Sequence, residues 1–374
     1  MYAFDTRRAS IRINKPPAIS IAPMMDKTDR HYRFFMRNIS RRTLLYSEMI
    51  TAAAIIYGDR DHLLGFSPVE KPLSLQLAGD DPDSLEEAVA IAEAYDYDEL
   101  NLNCGCPSDK VQDAHIGACL MAEPVLVARL VESMRRASSR PVTVKHRIGI
   151  DGQESYEDLR SFVQTVRKAG PDRFTVHARI AILSGLSPKE NREIPPLRYE
   201  DVYALKAEFP ELLIEINGGF TSLDQIARAL ESVDAVMVGR AAYDNPYLFA
   251  DVDRLFFGET SMPPTRRQII EHLIPYVERW EADGLSPHRI LRHVLGLFLG
   301  QRGSRKWKQL LSPPLVLRMS GGETLCRALE ELPDEVLDAQ PFAGTAQPFA
   351  DTAQPFALPA MALPVAESGG RNGG

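Results

Sequence analysis

The sequence predicts an α/β fold, a (β/α)8 TIM barrel followed by a smaller all-helical C-terminal domain. Eight short apolar or β-branched runs alternate with segments of helical periodicity, and such alternation requires parallel strand pairing. Polar residues or glycines end most of these runs, at the face where barrels of this kind collect their functional groups. A doubly wound sheet is the main structural rival, but no G-x-G-x-x-G motif follows any predicted strand.

Composition limits the class of protein. The 374 residues suffice for a large barrel and a smaller domain, and 44% hydrophobic with 25% charged residues is ordinary for a soluble globular protein. No apolar run reaches the ~20 residues that span a bilayer. The N-terminus lacks the apolar segment of a secretion signal, and the four cysteines follow no disulfide framework. We therefore expect a cytoplasmic protein without a membrane partner.

The charge distribution bears on nucleic-acid binding. A net charge of −8 argues against a protein that coats nucleic acid indiscriminately, yet it permits a local basic face. Residues 286–309 contain no acidic residue and carry the basic residues Arg289, Arg292, Arg302, Arg305, Lys306 and Lys308. Trp307 interleaves with them, and a run of one sign with an aromatic favours a phosphate-backbone partner. A solvated helix face is the plainer alternative.

The chain divides into four predicted parts: an N-terminal arm over 1–17, the barrel over 18–262, a helical domain over 263–338 and a disordered tail over 339–374. Two prolines close the arm, Pro263 and Pro264 mark the second boundary, and an Ala-Gln-Pro-Phe-Ala repeat fills the tail. The predicted strands are 18–25, 43–49, 72–77, 99–103, 140–147, 172–179, 212–219 and 234–240. The predicted helices include 29–37, one starting at Asp81, one running through Met134, 201–209, 266–282 and 286–300.

The fourth predicted strand carries the sharpest motif. Leucine and asparagine alternate over 99–103 with the period of a strand that has one face in a core. Gly105 and Pro107 end the strand and leave Cys106 on a short, stiff loop beyond its C-terminal end. A small buried hydrophobe is the plain alternative for this cysteine. Zinc would require further thiolates or histidines at ligand spacing, and Cys119 and Cys326 stand alone, so we expect no metal.

Side chains at the other strand ends extend this pattern. Equivalent positions carry Met24, Gln76, Asn103, Lys145, His177, Asn217 and Gly239. One such residue is commonly a helix cap, but so many at equivalent positions indicate a ring that faces one ligand. Asn217-Gly218-Gly219 and Gly239-Arg240 follow the seventh and eighth strands, where backbone N–H groups often hold a phosphate in these barrels. A simple turn is the alternative for the glycine pair.

The residue types at the ring suit a flavin. Lys145 is placed to stabilise the anion that forms on flavin reduction, and the amides of Gln76 and Asn103 suit the uracil-like edge of an isoalloxazine ring. His177 is suited to donate to a phosphate or ribityl oxygen, with a structural hydrogen bond as its alternative role. A phosphate near strands seven and eight and a planar redox ring across the barrel mouth describe FMN.

Several motifs together resemble the tRNA-dihydrouridine synthases, flavoenzymes that reduce uridine in tRNA. The matching stretches are 22–26, 76–79, 101–108, 145–149, 176–179, 217–219 and 238–240. They span roughly residues 18–310 in family order, and the N-x-N-x-G-C-P segment is highly specific. Residues 187–196 and 295–307 resemble the DusA type, which is known for positions 20 and 20a of the D-loop.

The resemblance implies an oxidoreductase with FMN as cofactor and NADPH as reductant. It implies FMN contacts from Pro23, Met24, Met25, Gln76, Lys145, His177, Asn217, Gly218, Gly219, Gly239 and Arg240. Cys106 would be the proton donor, and Asn103 would contact the target nucleotide. The tRNA, gripped at its D-loop and elbow, would meet Lys189, Arg192, Arg305 and Lys308. A monomer is the default expectation, and the tail, which departs from the family core, carries no predicted chemistry.

Two other functions remain open at this point. An FMN barrel dehydrogenase of free pyrimidines, of the dihydroorotate or dihydropyrimidine type, would share the ring and the flavin but would not need the basic helical segment. A non-catalytic RNA-binding barrel is the second. The intact set of Lys145, His177, the glycine pair and Cys106 argues against it.

Overall fold

The computed structural model describes residues 18–108, 112, 114–312 and 319–341. The predicted arm over 1–17 lies outside these residues, as does the predicted tail from residue 342 onward. Ala339, where the tail was predicted to begin, accepts a hydrogen bond of 3.0 Å from the Tyr247 hydroxyl.

The described strands form one parallel sheet that closes into a barrel. They are β1 Ile19–Ile21, β2 Leu45–Tyr46, β3 Ile50–Thr51, β4 Leu73–Ala78, β5 Glu99–Cys104, β6 Val142–Arg147, β7 Arg173–His177, β8 Ile214–Asn217 and β9 Ala235–Val238. Their order is β1-β9-β8-β7-β6-β5-β4-β2. A parallel bridge between Ser20 and Leu44 joins β1 to the start of β2 and closes the ring.

The second position of the barrel is a broken strand. β2 and β3 both pair with β4, through Leu45 with Leu73 and Ile50 with Leu77. They therefore occupy one position in the barrel, which begins within the predicted strand 43–49 and extends beyond it to Thr51. Counting them as one gives eight positions among the described residues, so the predicted TIM barrel with a helical C-terminal region is confirmed.

Helices connect successive strands and then continue beyond the barrel. Those between and after the strands are α1 Arg30–Arg37, α2 Ala52–Tyr57, α3 Arg60–Leu64, α4 Pro82–Ala92, α5 Pro124–Ala137, α6 Tyr156–Val166, α7 Tyr199–Glu208, α8 Leu223–Leu230, α9 Arg240–Asp244 and α10 Val252–Phe257. Those of the C-terminal region are α11 Arg266–Ala282, α12 His288–Leu291, α13 Ser304–Leu310, α14 Gly321–Glu331 and α15 Asp334–Leu337. Side chains that accept N–H groups of the first turn begin eight of them: Asp29, Thr51, Asp59, Asp81, Ser155, Ser222, Thr265 and Ser320.

Both faces of the central strands are buried, and they differ in chemistry. All six residues of β5 are buried, although only one face was expected to meet a core. Leu100 and Leu102 belong to the apolar face, while Asn101 hydrogen-bonds to neighbouring strands through its side chain. Because neighbouring side chains on a strand point to opposite sides, the leucines pack towards the surrounding helices and the asparagines fill the barrel. The barrel interior is therefore polar.

At the N-terminal end of the barrel, the interior contains charged side chains. The Arg173 guanidinium, which is fully buried, lies 2.8 Å from a Glu99 carboxylate oxygen and 3.4 Å from one of Glu215. Tyr46 donates to Glu99 over 3.0 Å, and Ser20 donates to Glu215 over 2.6 Å. Burial raises the pKa of Glu99, whereas the charge of Arg173 opposes this rise. One guanidinium thus neutralises part of the charge of two buried carboxylates.

The C-terminal region packs against α1. Arg292 and His293 both contact the Asp29 carboxylate, over 2.8 Å and 3.0 Å. The rings of Phe34 and Tyr276 stack with their centroids 3.7 Å apart. These contacts attach the helices beyond residue 263 to the loop that follows β1.

The prediction of a single helix over 286–300 is wrong. Only His288–Leu291 is helical, and the chain then proceeds in short turns. A Cβ on Gly296 would lie 2.5 Å from the carbonyl oxygen of Asp244, so only a glycine lets the backbone approach α9 this closely.

We predict that Asp29→Ala lowers the free energy of unfolding by about 2–4 kcal/mol, because it removes an N-cap and leaves Arg292 and His293 without their partner. One Asp29 oxygen accepts the N–H groups of His31 and Tyr32, each over 3.0 Å. Burial acts to raise the pKa of Asp29, but hydrogen bonds from His293 and Arg292 outweigh it and hold the pKa well below its usual range. This stabilisation is therefore complete above the carboxyl's ordinary pKa and is lost as the pH falls.

Urea denaturation at several pH values tests this prediction. Asp81→Ala is the matched control, because Asp81 caps α4 by accepting the Ser84 N–H over 2.8 Å and is exposed. We expect the control to lose about 1 kcal/mol. Equal losses in both variants would contradict a role for Asp29 in attaching the C-terminal region.

Candidate active site

The sheet register brings the predicted ring of side chains together. Asn103 pairs with Lys145 in β5 and β6, and His177 pairs with Asn217 in β7 and β8. These residues end their strands or lie within two residues of the C-terminal end, at the same rim of the barrel, beside Gln76 of β4. The sequence-predicted members of the ring on β4 to β8 are thus neighbours.

A row of hydrogen bonds fixes the amides at this rim. Asn103 Nδ2 donates to Gln76 Oε1 over 2.9 Å, and Gln76 Nε2 donates to Asn101 Oδ1 over 2.8 Å. Asn101 Nδ2 donates in turn to the hydroxyl of Thr143 over 2.8 Å. The Thr143 hydroxyl donates over 3.0 Å to Glu99, in the ion cluster below. Asn101 was not predicted as a site residue, although its alternation with Asn103 places it on the same face.

The loop of Cys106 is held as tightly as the sequence predicts. Asn103 Oδ1 accepts the N–H groups of Gly105 and Cys106, over 2.9 Å and 3.0 Å. The Cys106 carbonyl accepts the Ala118 N–H over 2.9 Å. Its partly buried side chain packs against Ala78 and Ile116. All four cysteines are free thiols, and the described ranges contain no cluster of three or more residues able to hold a metal ion.

Positive charge surrounds the rim. Burial, together with the charge of the nearby Arg147, lowers the pKa of Lys145 to about 8, so the amine still carries its charge at neutral pH. Burial also lowers the pKa of His177 well below its usual value, with the charges of Arg147 and Lys145 adding to the effect. His177 is therefore a neutral hydrogen-bonding group beside a cation.

The glycine pair after β8 has a backbone that other residues do not fit. Gly218 and Gly219 have φ angles of +128° and +72°. A Cβ on Gly218 would lie 2.8 Å from a Leu197 methyl carbon, and one on Gly219 would lie 2.6 Å from the other. The Tyr199 hydroxyl donates to the Gly218 carbonyl over 2.6 Å. The turn is therefore a specific backbone feature at the rim.

The strand ends on either side of this turn complete the rim. Asn217 Nδ2 donates to the Met237 carbonyl over 2.7 Å and so ties β8 to β9. After Gly239, Arg240 begins α9, where the first N–H groups have no acceptor within the helix. The Arg240 guanidinium contacts Glu193 over 2.8 Å.

The turn after β1 lies beside Gly239. The Ala22 N–H donates to the Val238 carbonyl over 2.9 Å, which sets the end of β1 next to the end of β9. Met24 accepts N–H groups from two residues further along the turn, and Met25 is 55% exposed. Pro23, Met24 and Met25 are thus at the same rim as the glycines.

The four predicted tRNA contacts lie on two exposed elements. Lys189 precedes a short 3-10 turn, Glu190–Arg192, in the segment that follows β7, and Arg192 ends this turn. Arg305 and Lys308 are exposed on α13, and neither has an ion-pair partner among the residues that the structure describes.

Three other cations of the basic run are paired. Arg292, Arg302 and Lys306 form ion pairs with acidic residues. Trp307 is fully buried and donates its indole N–H to the Val294 carbonyl over 3.0 Å. The inference that this aromatic interleaves with the cations to bind a phosphate backbone is therefore wrong for Trp307.

Comparison with known proteins decides the family. The family model described as dihydrouridine synthase (Dus) matches residues 20–327. The chain belongs to the dihydrouridine synthase family. This family consists of flavin-dependent oxidoreductases, so this dihydrouridine synthase is an enzyme of that class. None of its described helices is both long and apolar enough to cross a bilayer.

Curated relatives match along nearly their whole length. The tRNA-dihydrouridine(20/20a) synthase of Synechocystis sp. is 59% identical over 312 residues, which are 83% of this chain and 93% of the relative. A protein of the same name from Pseudomonas aeruginosa is 54% identical over 303 residues, 80% of this chain and 91% of the relative. One from Vibrio vulnificus is 50% identical over 319 residues, 85% of this chain and 98% of the relative.

Proposed function

We propose that this dihydrouridine synthase reduces the C5=C6 bond of uridines at positions 20 and 20a of the tRNA D-loop, with FMN as cofactor and NADPH as reductant. The activity is the one that the names of its relatives give, and those relatives are aligned over 91–98% of their length. The observation that carries the proposal is the rim itself. A free thiol on a rigid loop, a charged lysine and a glycine turn lie at one end of one barrel.

The residues at the rim fit FMN. Backbone N–H groups near Gly218, Gly219 and Gly239, together with the Arg240 guanidinium, suit a phosphate, because successive N–H groups of a turn with positive φ angles form an anion-binding concavity. The remaining contacts we propose are Pro23, Met24, Met25, Gln76, Lys145, His177 and Asn217. The buried amides and the neutral histidine supply directed hydrogen bonds for the uncharged ring and ribityl chain.

A bound flavin, once reduced by NADPH, supplies the hydride that adds to C6 of the uracil. The addition leaves negative charge on C5 and O4 of the base, and Cys106 donates its thiol proton to C5 as a general acid. The thiolate that remains takes a proton from solvent. The hydride and the thiol proton together supply the two electrons and two protons that convert the C5=C6 double bond to a single bond. Lys145 carries a fixed positive charge at this rim, and Asn103 is the residue that contacts the uracil.

The tRNA is held by the exposed cations. Arg305 and Lys308 on α13 bind phosphates at the D-loop and elbow, and Lys189 and Arg192 bind phosphates next to the rim. The target uridine leaves its stack to reach the thiol, as in other enzymes that act on a base. The free state of all four thiols suits the reducing cytoplasm, where we place the reaction, with one chain as the active unit.

We predict that Arg305→Glu with Lys308→Glu weakens tRNA binding and lowers the slope of its salt dependence by about 2, since each cation accounts for about one phosphate contact. NADPH oxidation without tRNA should stay unchanged. The measurement is filter binding of tRNA at several salt concentrations. The control is Arg129→Glu with Lys168→Glu, which changes the net charge equally at two exposed positions on the outside of the barrel. Equal damage to tRNA binding and NADPH oxidation would count against a binding role.

The proposed function is tested by mapping dihydrouridine in tRNA from cells that lack this gene. Loss of dihydrouridine at positions 20 and 20a alone is the expected result. The purified chain should be yellow, and with NADPH it should form dihydrouridine in tRNA but leave free uracil unchanged. Turnover of free uracil without tRNA would instead indicate a pyrimidine dehydrogenase. A colourless protein that binds tRNA without reducing it would indicate a non-catalytic barrel.

A further inference from the structure

One buried arginine joins three segments of the rim. Arg147 ends β6 and is 3% exposed. Its Nε donates to the Gly105 carbonyl over 3.0 Å, and its Nη1 donates to the carbonyls of Ile180 and Asn191, each over 3.0 Å. The three acceptors belong to the Cys106 loop, to the chain just after β7 and to the turn that carries Arg192. No role for Arg147 was predicted from the sequence.

The segment over 180–196 depends on polar contacts for its shape. The fully buried Asn191 side chain accepts the Ile182 N–H and donates to the Ile182 carbonyl, both over 2.8 Å. It also donates to the Leu186 carbonyl over 3.2 Å. The segment contains no strand and no helix longer than a 3-10 turn. Asn191 therefore organises the segment internally, and Arg147 attaches it to the barrel.

The Cys106 loop has few anchors, and one of them is this arginine. Asn103 holds the Gly105 N–H over 2.9 Å, and Arg147 holds the Gly105 carbonyl over 3.0 Å. Both polar groups of the residue before Cys106 are thus fixed by side chains. Of the two, only Arg147 also contacts the 180–196 segment.

We propose that Arg147 is a positioning residue that couples the 180–196 segment to the Cys106 loop, so that the order of that segment sets the position of the thiol. This proposal rests on the proposed function only for the purpose that it gives to the coupling; the coupling itself does not depend on that function. In a tRNA-bound enzyme, phosphates on Lys189 and Arg192 would order the segment, and Arg147 would transmit this order to the proton donor. The planar fork of a guanidinium meets three carbonyls at once, which the single ammonium of a lysine does not.

The test compares Arg147→Lys with Arg37→Lys. Arg37 is the matched control because it is also a buried guanidinium that binds only backbone carbonyls, those of Ser40, Thr43, Glu70 and Pro72. Those carbonyls precede β2 and β4, at the far end of the barrel. Both variants keep the charge and lose carbonyl contacts, so they should lose stability to a similar degree.

The first readout is alkylation of Cys106 by iodoacetamide in the flavin-loaded enzyme without tRNA, followed by peptide mass spectrometry. A loosened loop exposes its half-buried thiol, so Arg147→Lys should raise the alkylation rate at least about threefold, while Arg37→Lys leaves it unchanged. Asn191→Ala, which disturbs the segment but none of the loop's own contacts, should raise it as well. In the Arg147→Lys background, Asn191→Ala should have no further effect, because the connection is already broken.

An unchanged alkylation rate in Arg147→Lys would overturn the positioning role. An Asn191→Ala effect that persists undiminished in the Arg147→Lys background would overturn the coupling. These readouts need no tRNA, so they stand apart from the test of the proposed function. With tRNA, single-turnover uridine reduction should fall about 10- to 100-fold in Arg147→Lys, because a small displacement of a reacting group is enough for such a loss. Reduction of the flavin by NADPH should change less than about twofold, since it does not use the thiol.

Discussion

Cys106→Ala is expected to lower the rate of uridine reduction by about 100- to 10,000-fold, the usual contribution of a general acid. Flavin binding and NADPH oxidation should persist, because the loop keeps its backbone contacts to Asn103 and Ala118 without the sulfur. The first half-reaction, in which NADPH reduces the flavin, is therefore separated in this variant from the second, in which uridine is reduced. Flavin absorbance reports NADPH oxidation, and dihydrouridine yield in tRNA reports the second half-reaction.

Cys119→Ala is the matched control for this prediction. Cys119 is also a partly buried free thiol, but its sulfur lies 2.9 Å from the Ile116 carbonyl in the connection that follows β5. Its removal should leave both half-reactions unchanged. If dihydrouridine yield is unaltered in Cys106→Ala, another group protonates C5 and our assignment of the acid is wrong.

The second large effect is expected for stability. Arg173→Met should lower the free energy of unfolding by about 3–5 kcal/mol, because it leaves Glu99 and Glu215 buried together without a cation. The side chains of both carboxylates are no more than 4% exposed. Guanidinium chloride denaturation measures the loss.

The pH dependence of the stability loss and a second substitution serve as controls for the Arg173→Met prediction. Without Arg173, burial raises the pKa of Glu99 further above the unfolded value, so the deficit should be largest at high pH and shrink as the pH falls. Adding Glu99→Gln removes one buried charge and should restore part of the stability of Arg173→Met. Equal stabilities of the single and double variants at every pH would show that the ion cluster is not the cause.

Local sequence patterns predicted the barrel strands and most helices, because these elements depend on residues that are close together in the sequence. The helix 266–282 has the predicted bounds, since Thr265 caps it and accepts the Gln268 N–H. Strand ends were equally predictable, and register then brought Lys145 and His177 to one rim. The strand predicted over 43–49 is shorter than expected, because only Leu45–Tyr46 is a strand there and a second short piece follows at Ile50–Thr51.

Contacts between distant parts of the chain were not predictable in the same way. Arg147 meets Asn191 across 44 positions, and nothing near either residue indicates the contact. Trp307 lies among exposed cations in sequence, yet it is buried because its ring packs against Phe298. Gly296 looks like an ordinary helical position until the Asp244 carbonyl is placed beside it. In each case the decisive partner is remote in sequence.

The row of amides inside the barrel has a polarity that is fixed at both of its ends. The carboxylate of Glu99 only accepts, so the Thr143 hydroxyl points its hydrogen at it, and each amide above donates downward in turn. The last member, Asn103, keeps its oxygen towards the loop that follows, where the Gly105 and Cys106 N–H groups can only donate to it. A negative charge near the floor of the barrel and two backbone N–H groups at its mouth thus require the same orientation of every amide between them. A substitution that neutralises the floor would therefore leave the Asn103 amide facing as it does.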